Sequence, residues 1–267
     1  MQQTVRRLGG AVLVTSLIVL SGGAMPAGAT FPGANGRIAF VNAFRPGWRI
    51  WSVRPDGSGP RRLTRGEDGN VSPAWAPDGR RIAYESFSNR TRSSNLMTVD
   101  PHGQNRTLVL GLKSPAWLSQ PTWSPDGTQI AFLGDISGAH DRADIVILDL
   151  DDLDTTVLRC LGLCRDLDWS PEGSRFAFIS YRQRHTLRYR LMVMDTDGTG
   201  VGTLTREVPV LSDLSWSPDG TQIVFGGTHL FNIFTIGADG TGLQRVTKTP
   251  NYWEVTPAWS PNGRRIV

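Results

Sequence analysis

One short motif, Trp-Ser-Pro-Asp-Gly, returns at a near-fixed interval along this chain, and any fold must account for it first. It is complete at Trp123–Gly127 and Trp216–Gly220, with near copies beginning at Trp75, Trp169 and Trp259. A related turn, Gly-Ala-Asn-Gly, ends at Gly36. The glycines closing these turns are Gly36, Gly79, Gly127, Gly173, Gly220 and Gly263, spaced 43, 48, 46, 47 and 43 residues apart. A steady period in this range marks a solenoid, a propeller or an array.

The content of each unit decides among these. After the glycine comes a short apolar segment such as "RIAYE" (81–85), "QIAFL" (129–133) or "RFAFI" (175–179). A variable stretch follows, then a second apolar segment such as "NLMTV" (95–99) or "DIVIL" (144–148), an Asp-Gly-type turn and a third short segment. None is long enough for a helix, and β-branched and aromatic residues dominate. With the Trp segment, each unit holds four strands. Apolar residues lie on both faces, so each sheet must be covered on both sides. Identical sheets packed face to face around an axis achieve this, so the spacing predicts an all-β propeller of four-stranded blades over residues 30–267. The repeats predict five complete blades and the start of a sixth.

The motif itself reads as a turn. Proline presets the first turn position, Asp78, Asp126 and Asp219 cap their own backbone, and Gly79, Gly127, Gly173 and Gly220 take positive φ without steric cost. Trp75, Trp123, Trp169, Trp216 and Trp259 are large plates suited to fill the wedge between neighbouring blades. Five equivalent copies argue for a structural device over a unique catalytic centre.

With "WSPDGxxIAF", "DG" turns and "LT" segments on the page, the chain resembles the TolB-like β-propeller repeat family, over about residues 32–267. That resemblance implies the fold, and members include a periplasmic protein and the propellers of prolyl-oligopeptidase relatives. The α/β domain that precedes the periplasmic protein's propeller has no room in residues 30–35. No Gly-x-Ser-x-Gly pentapeptide of a hydrolase domain occurs here either. The motif therefore specifies fold and not activity.

Residues 1–29 read as a secretory signal: Arg6 and Arg7 precede the apolar run 8–20, and Ala27-Gly28-Ala29 offers a cleavage site. The run is too short to span a membrane comfortably. Export by the general or the twin-arginine route both fit the paired arginines. The expected location is periplasmic, cell-envelope or extracellular, peripheral to a membrane at most. Removing Arg6 and Arg7 from the 28 basic residues leaves two more than the 24 acidic ones, which is no nucleic-acid footprint. In an oxidising compartment Cys160 and Cys164 are close enough in sequence to form a local disulfide, although so short a loop also fits two unpaired thiols.

Binding residues are expected on the variable loops, opposite the uniform turns. The segment 181–190 carries Arg182, Arg184, His185, Arg188 and Arg190 with no acid among them. Such a set can grip phosphate, acidic sugars or an acidic protein surface, and it equally reads as a solvated hairpin. Tyr252 and Trp253 in a blade-to-blade link can anchor a sugar or peptide, or pack over a blade edge. Asp135, His140, Asp141 and Asp144 match no ligand spacing, so neither a metal nor another cofactor is expected. The four histidines lie in no nucleophile motif, and no catalytic residue is assigned.

These observations point to an exported, non-enzymatic propeller that binds a protein or glycan partner at the envelope. The alternative is a hydrolase or lyase with its site at the channel mouth. A mouth rich in His, Arg and carboxylates would favour the enzyme; an apolar mouth would favour binding. The two ends of the chain are redundant, since "GANGRIAF" (33–40) and "PAWSPNGRRIV" (257–267) supply the same parts of a unit. A complete ring is expected to be monomeric, whereas a truncated one would expose an apolar edge and associate.

Overall fold

The computed structural model describes residues 31, 35–43, 47–138, 143–160, 162–184, 186–205, 210–227, 232–248, 254 and 256–267. Every regular element among them is a strand. The first sheet contains β1 (Ile38–Asn42), β2 (Arg49–Val53) and β3 (Arg61–Arg62). The second runs β4 (Gly69–Trp75), β5 (Ile82–Ser88), β6 (Ser93–Val99) and β7 (Thr107–Lys113). The third is β8 (Trp117–Trp123), β9 (Gln129–Asp135), β10 (Asp144–Asp149) and β11 (Thr155–Leu158). The fourth is β12 (Leu163–Trp169), β13 (Arg175–Arg184), β14 (Thr186–Asp195) and β15 (Gly202–Thr203). The fifth is β16 (Val210–Trp216), β17 (Gln222–Gly227), β18 (Ile233–Gly237) and β19 (Gln244–Arg245).

Each sheet is antiparallel with its strands in sequence order, giving a propeller of five blades. Four blades have the expected four strands. The first has three among the described residues, because each Trp strand opens the sheet that follows it and none of the described residues supplies one ahead of β1. Strands β4, β8, β12 and β16 contact one another in series, so these are the inner strands that line the central channel.

The core lies between blades, and strand alternation shows why. Ile130 and Phe132 join Ala74, Ala83 and Trp123 between the second and third blades. Their neighbours Ala131 and Leu133 point the other way and join Trp169 and Phe176 between the third and fourth. Trp216 fills the next wedge, with Leu191, Val193, Ile223 and Phe225. Trp123 and Trp216 are fully buried; deleting such a side chain costs about 3–5 kcal/mol. Arg81 lies 4.7 Å over the ring of Trp123 and Arg175 lies 5.1 Å over that of Trp216, so an arginine of one blade caps the tryptophan of the next.

The turns are held by their aspartates. Asp126 Oδ1 accepts the Thr128 N–H (3.0 Å) and the hydroxyls of Ser124 (2.6 Å) and Thr128 (2.9 Å). Asp219 repeats the set with Thr221 and Ser217. Gly127 sits at φ +74°, where a Cβ would also meet Pro77 of the preceding blade's turn at 3.3 Å. Cys160 and Cys164 are joined in a disulfide across the link between β11 and β12.

The end of the chain is paired on one side. Val267 and Ala258 exchange backbone hydrogen bonds of 2.9 and 3.0 Å, and Trp259 pairs with Ile266. The Asn262 N–H donates to Asn35 Oδ1 at 3.2 Å, so the last turn of the chain touches the first.

Candidate functional site

The end of the channel away from the Ser-Pro-Asp-Gly turns is built by a recurring irregularity. Each described inner strand shifts register partway along: between Val71 and Ala74, Ser119 and Thr122, Arg165 and Leu167, and Ser212 and Leu214. The residue at each bulge adopts positive φ: Ser72 at 52°, Gln120 at 53°, Asp166 at 54° and Asp213 at 45°. Thr256, at 59°, holds the same place ahead of Trp259. All five stand three residues before the blade's tryptophan, and all are polar. Non-glycine residues in this region are strained by about 1–3 kcal/mol each, and bulges commonly re-aim a side chain.

The re-aimed groups meet across blades. Gln120 Nε2 donates to Asp166 Oδ1 at 2.6 Å, and the Asp166 N–H donates back to Gln120 Oε1 at 2.6 Å. The Asp166 carboxylate also pairs with Arg165 Nε at 3.3 Å. Burial pushes Asp166 up, opposed by the Arg165 charge and the Gln120 hydrogen bond. The Arg165 guanidinium lies 5.6 Å over the ring of Tyr189, which in turn packs on Tyr181 at 5.2 Å. One layer deeper, Asp168 accepts from the Thr122 hydroxyl (3.2 Å), the Trp169 N–H (3.1 Å) and the Trp216 N–H (2.9 Å). It thereby ties three blades together, and burial pushes it up to about 7 against these hydrogen bonds.

Beside this network opens a hollow of about 300 Å³, walled by Val71, Ser72, Glu85, Ser119, Gln120, Leu133, Cys164, Arg165 and Tyr181. Glu85 is the one carboxyl in that wall, and burial alone pushes it up to about 7. A larger depression of about 440 Å³ lies on the opposite face among Asp219, Gln222, Trp259 and Asn262. Its carboxylate, Asp219, is already committed to Ser217 and Thr221. The mouth therefore carries the more available chemistry.

The expected binding residues divide. Strands β13 and β14 extend to ten residues each, longer than any other described strand. Arg182 pairs with Arg188, and Arg184 with Thr186, along the backbone of that extension; the side chains of the three arginines are outside the described set. Arg190 is exposed opposite Ser180. His185, Tyr252 and Trp253 lie outside the described residues. Glu85, Gln120, Arg165 and Asp166 were missed by motif reading. Gln120 and Asp166 had a signal in the polar position three residues before each tryptophan; Glu85 and Arg165 had none. By the test set out from sequence the mouth is mixed: it has an arginine and carboxylates, and the wall of the hollow includes no histidine. Among the described residues no group of three or more His, Cys, Asp or Glu is placed to hold a metal ion.

The model of the TolB beta propeller domain family matches residues 88–267. The Tol-Pal system protein TolB of Thioalkalivibrio sulfidiphilus is 37% identical over 70 residues, 25% of this chain and 16% of that protein. The crystal structure of TolB from Acinetobacter baumannii superposes with a TM-score of 0.71 at 24% identity, covering 86% of this chain and 57% of that one. An oligogalacturonate lyase from Vibrio parahaemolyticus superposes at 0.60 with 14% identity, covering 91% and 85%. At these identities the structural likeness shows the fold alone. The chain spans less than two thirds of the length of either TolB.

Proposed function

The chain belongs to the TolB beta propeller domain family, and from that premise we propose that it is an exported propeller whose channel mouth binds a protein partner at the cell envelope. One observation carries this reading: the mouth holds a formed hollow whose polar groups are fixed in place by hydrogen bonds between blades. Such a surface recognises without rearranging, which limits the entropy lost on binding. Strand β13, which supplies Tyr181 to the wall of the hollow, continues past it to Arg184 in register with β14. Residues 1–29 act as the export signal, consistent with a disulfide at Cys160–Cys164.

A photo-crosslinking residue at Tyr181, in the hollow, tests the assignment against one at Thr128, in a turn of the opposite face. Partner adducts are expected from position 181 and not from 128. Equal labelling from both would remove the mouth as the binding site.

A second reading, an enzyme, is favoured by Glu85, because a carboxyl poised near 7 suits general acid or base work. Turnover of oligogalacturonate, followed by ultraviolet absorbance of the unsaturated product and lost in Glu85→Gln, would establish it.

We further infer that residues 256–267 begin a sixth blade standing between the fifth and the first. Trp259 pairs with Ile266 in the same register as Trp75 with Ile82, Trp123 with Ile130 and Trp216 with Ile223. A Cβ on Gly263 would meet Pro218 at 3.4 Å, as one on Gly127 would meet Pro77. The contact between Asn262 and Asn35 supplies the other neighbour.

A further inference from the structure

We propose that the hollow at the channel mouth binds a cationic group, a protonated amine or a guanidinium, with Glu85 as its carboxylate partner. This rests on the mouth being the binding site and adds the chemistry of what enters it. Glu85 stands opposite Val71 of β4 and Leu96 of β6. Strand alternation puts it on the side of Ala83, the face packed against the third blade, where it borders the hollow. Its carboxyl has no hydrogen-bond or ion-pair partner among the described residues, and burial is the sole cause of its shift. Glu85 is half-buried, and a carboxyl drawn partly out of water with no protein partner gains from a ligand that supplies one.

The surroundings select the sign of that ligand. Strands β4, β6 and β8, which pack against β5, carry no titratable side chain. Across the hollow stand Tyr181 and Arg165, and Arg165 is already paired with Asp166. Asp135, at the end of β9, accepts the N–H groups of Ser137 and Gly138. Within the wall of the hollow the carboxyl left without a partner is Glu85, and a cation is the ligand that complements it, although the chain as a whole has a formal net charge of +4.

Binding must then be linked to pH. A bound cation favours ionised Glu85, so affinity is full above about 8 and falls as pH drops through about 7. With that value, occupancy of the ionised form changes roughly tenfold between pH 8 and pH 6.

The affinity of the intact chain for acetyl-Ala-Lys-Ala-amide, its norleucine and glutamate counterparts, and putrescine tests this. The lysine peptide or putrescine is expected to bind, about tenfold more tightly at pH 8 than at pH 6, and the two uncharged or acidic probes are expected not to. Binding of the peptide identifies a side chain as the source; binding of putrescine alone identifies a free amine. Glu85→Gln should abolish both binding and its pH dependence while circular dichroism stays unchanged. Equal affinity for lysine and norleucine, or lysine affinity unmoved in Glu85→Gln, would overturn the assignment. Crosslinking from position 181 separates the two failures: adducts that persist in Glu85→Gln leave the mouth as the partner site and remove only its preference for a cation.

Discussion

Asp168 is fully buried and Glu85 half-buried, and burial pushes both carboxyls up to about 7. They differ in what surrounds them. Asp168 receives three hydrogen bonds and ties three blades together. Glu85 receives none among the described residues and faces open space, the arrangement of a group held for a ligand. The consequence for stability has a definite sign. The native chain keeps a proton on Glu85 that the unfolded chain releases near the ordinary value of 4.5, so this residue lowers stability as pH rises from about 4.5 through about 7. Glu85→Gln is therefore expected to stabilise the fold by about 2–3 kcal/mol at pH 8 and by about 1 kcal/mol at pH 5. Urea unfolding at the two pH values measures the difference. A gain of the same size at both would show that the native pKa of Glu85 is not raised above its unfolded value.

At the scale of the element, the repeated turn explains why the blades form so regularly. Asp126 is held below the ordinary carboxylate range by the Ser124 hydroxyl and the Thr128 N–H, although burial opposes them. Its contribution is present above the unfolded value of 3.8 and is lost as pH falls through the lower folded one. Asp126→Ala is expected to cost about 1–2 kcal/mol at pH 7, since it leaves one backbone N–H and two hydroxyls to be satisfied by water. The urea midpoint at pH 7 reads this loss, and a cost below a few tenths of a kcal/mol would show that the turn holds without its side chain. Five such turns, each with its glycine at positive φ, set the phase of the strands that follow.

The whole molecule depends on how the ring closes. Asn262 and Asn35, 227 residues apart, join the last turn to the first. The double variant N35C/N262C is expected to accept a short bismaleimide bridge within one molecule, leaving the existing disulfide intact, and the bridged ring should unfold at higher urea concentration. A cross-link constrains the unfolded chain most when it encloses a long loop. If only intermolecular bridges form, the two turns are not neighbours in solution and the sixth-blade placement fails.

Short-range physics is what the sequence alone settled. A turn glycine at positive φ, an aspartate capping the next residues and a two-residue strand period all act within a few residues, so the repeat and the strands were legible directly. The three-stranded first blade was not, because which sheet a Trp strand joins is decided by its partner and not by its own residues. Nor was the mouth. Gln120 and Asp166 are 46 residues apart and meet only because successive inner strands line one channel. Glu85 looks like any polar residue in an alternating strand; its distinction is that the ring half-buries it beside a hollow with no partner among the described residues. Each repeat encodes its own blade, but the chemistry at the axis belongs to residues from different repeats, and only closing the ring brings them together.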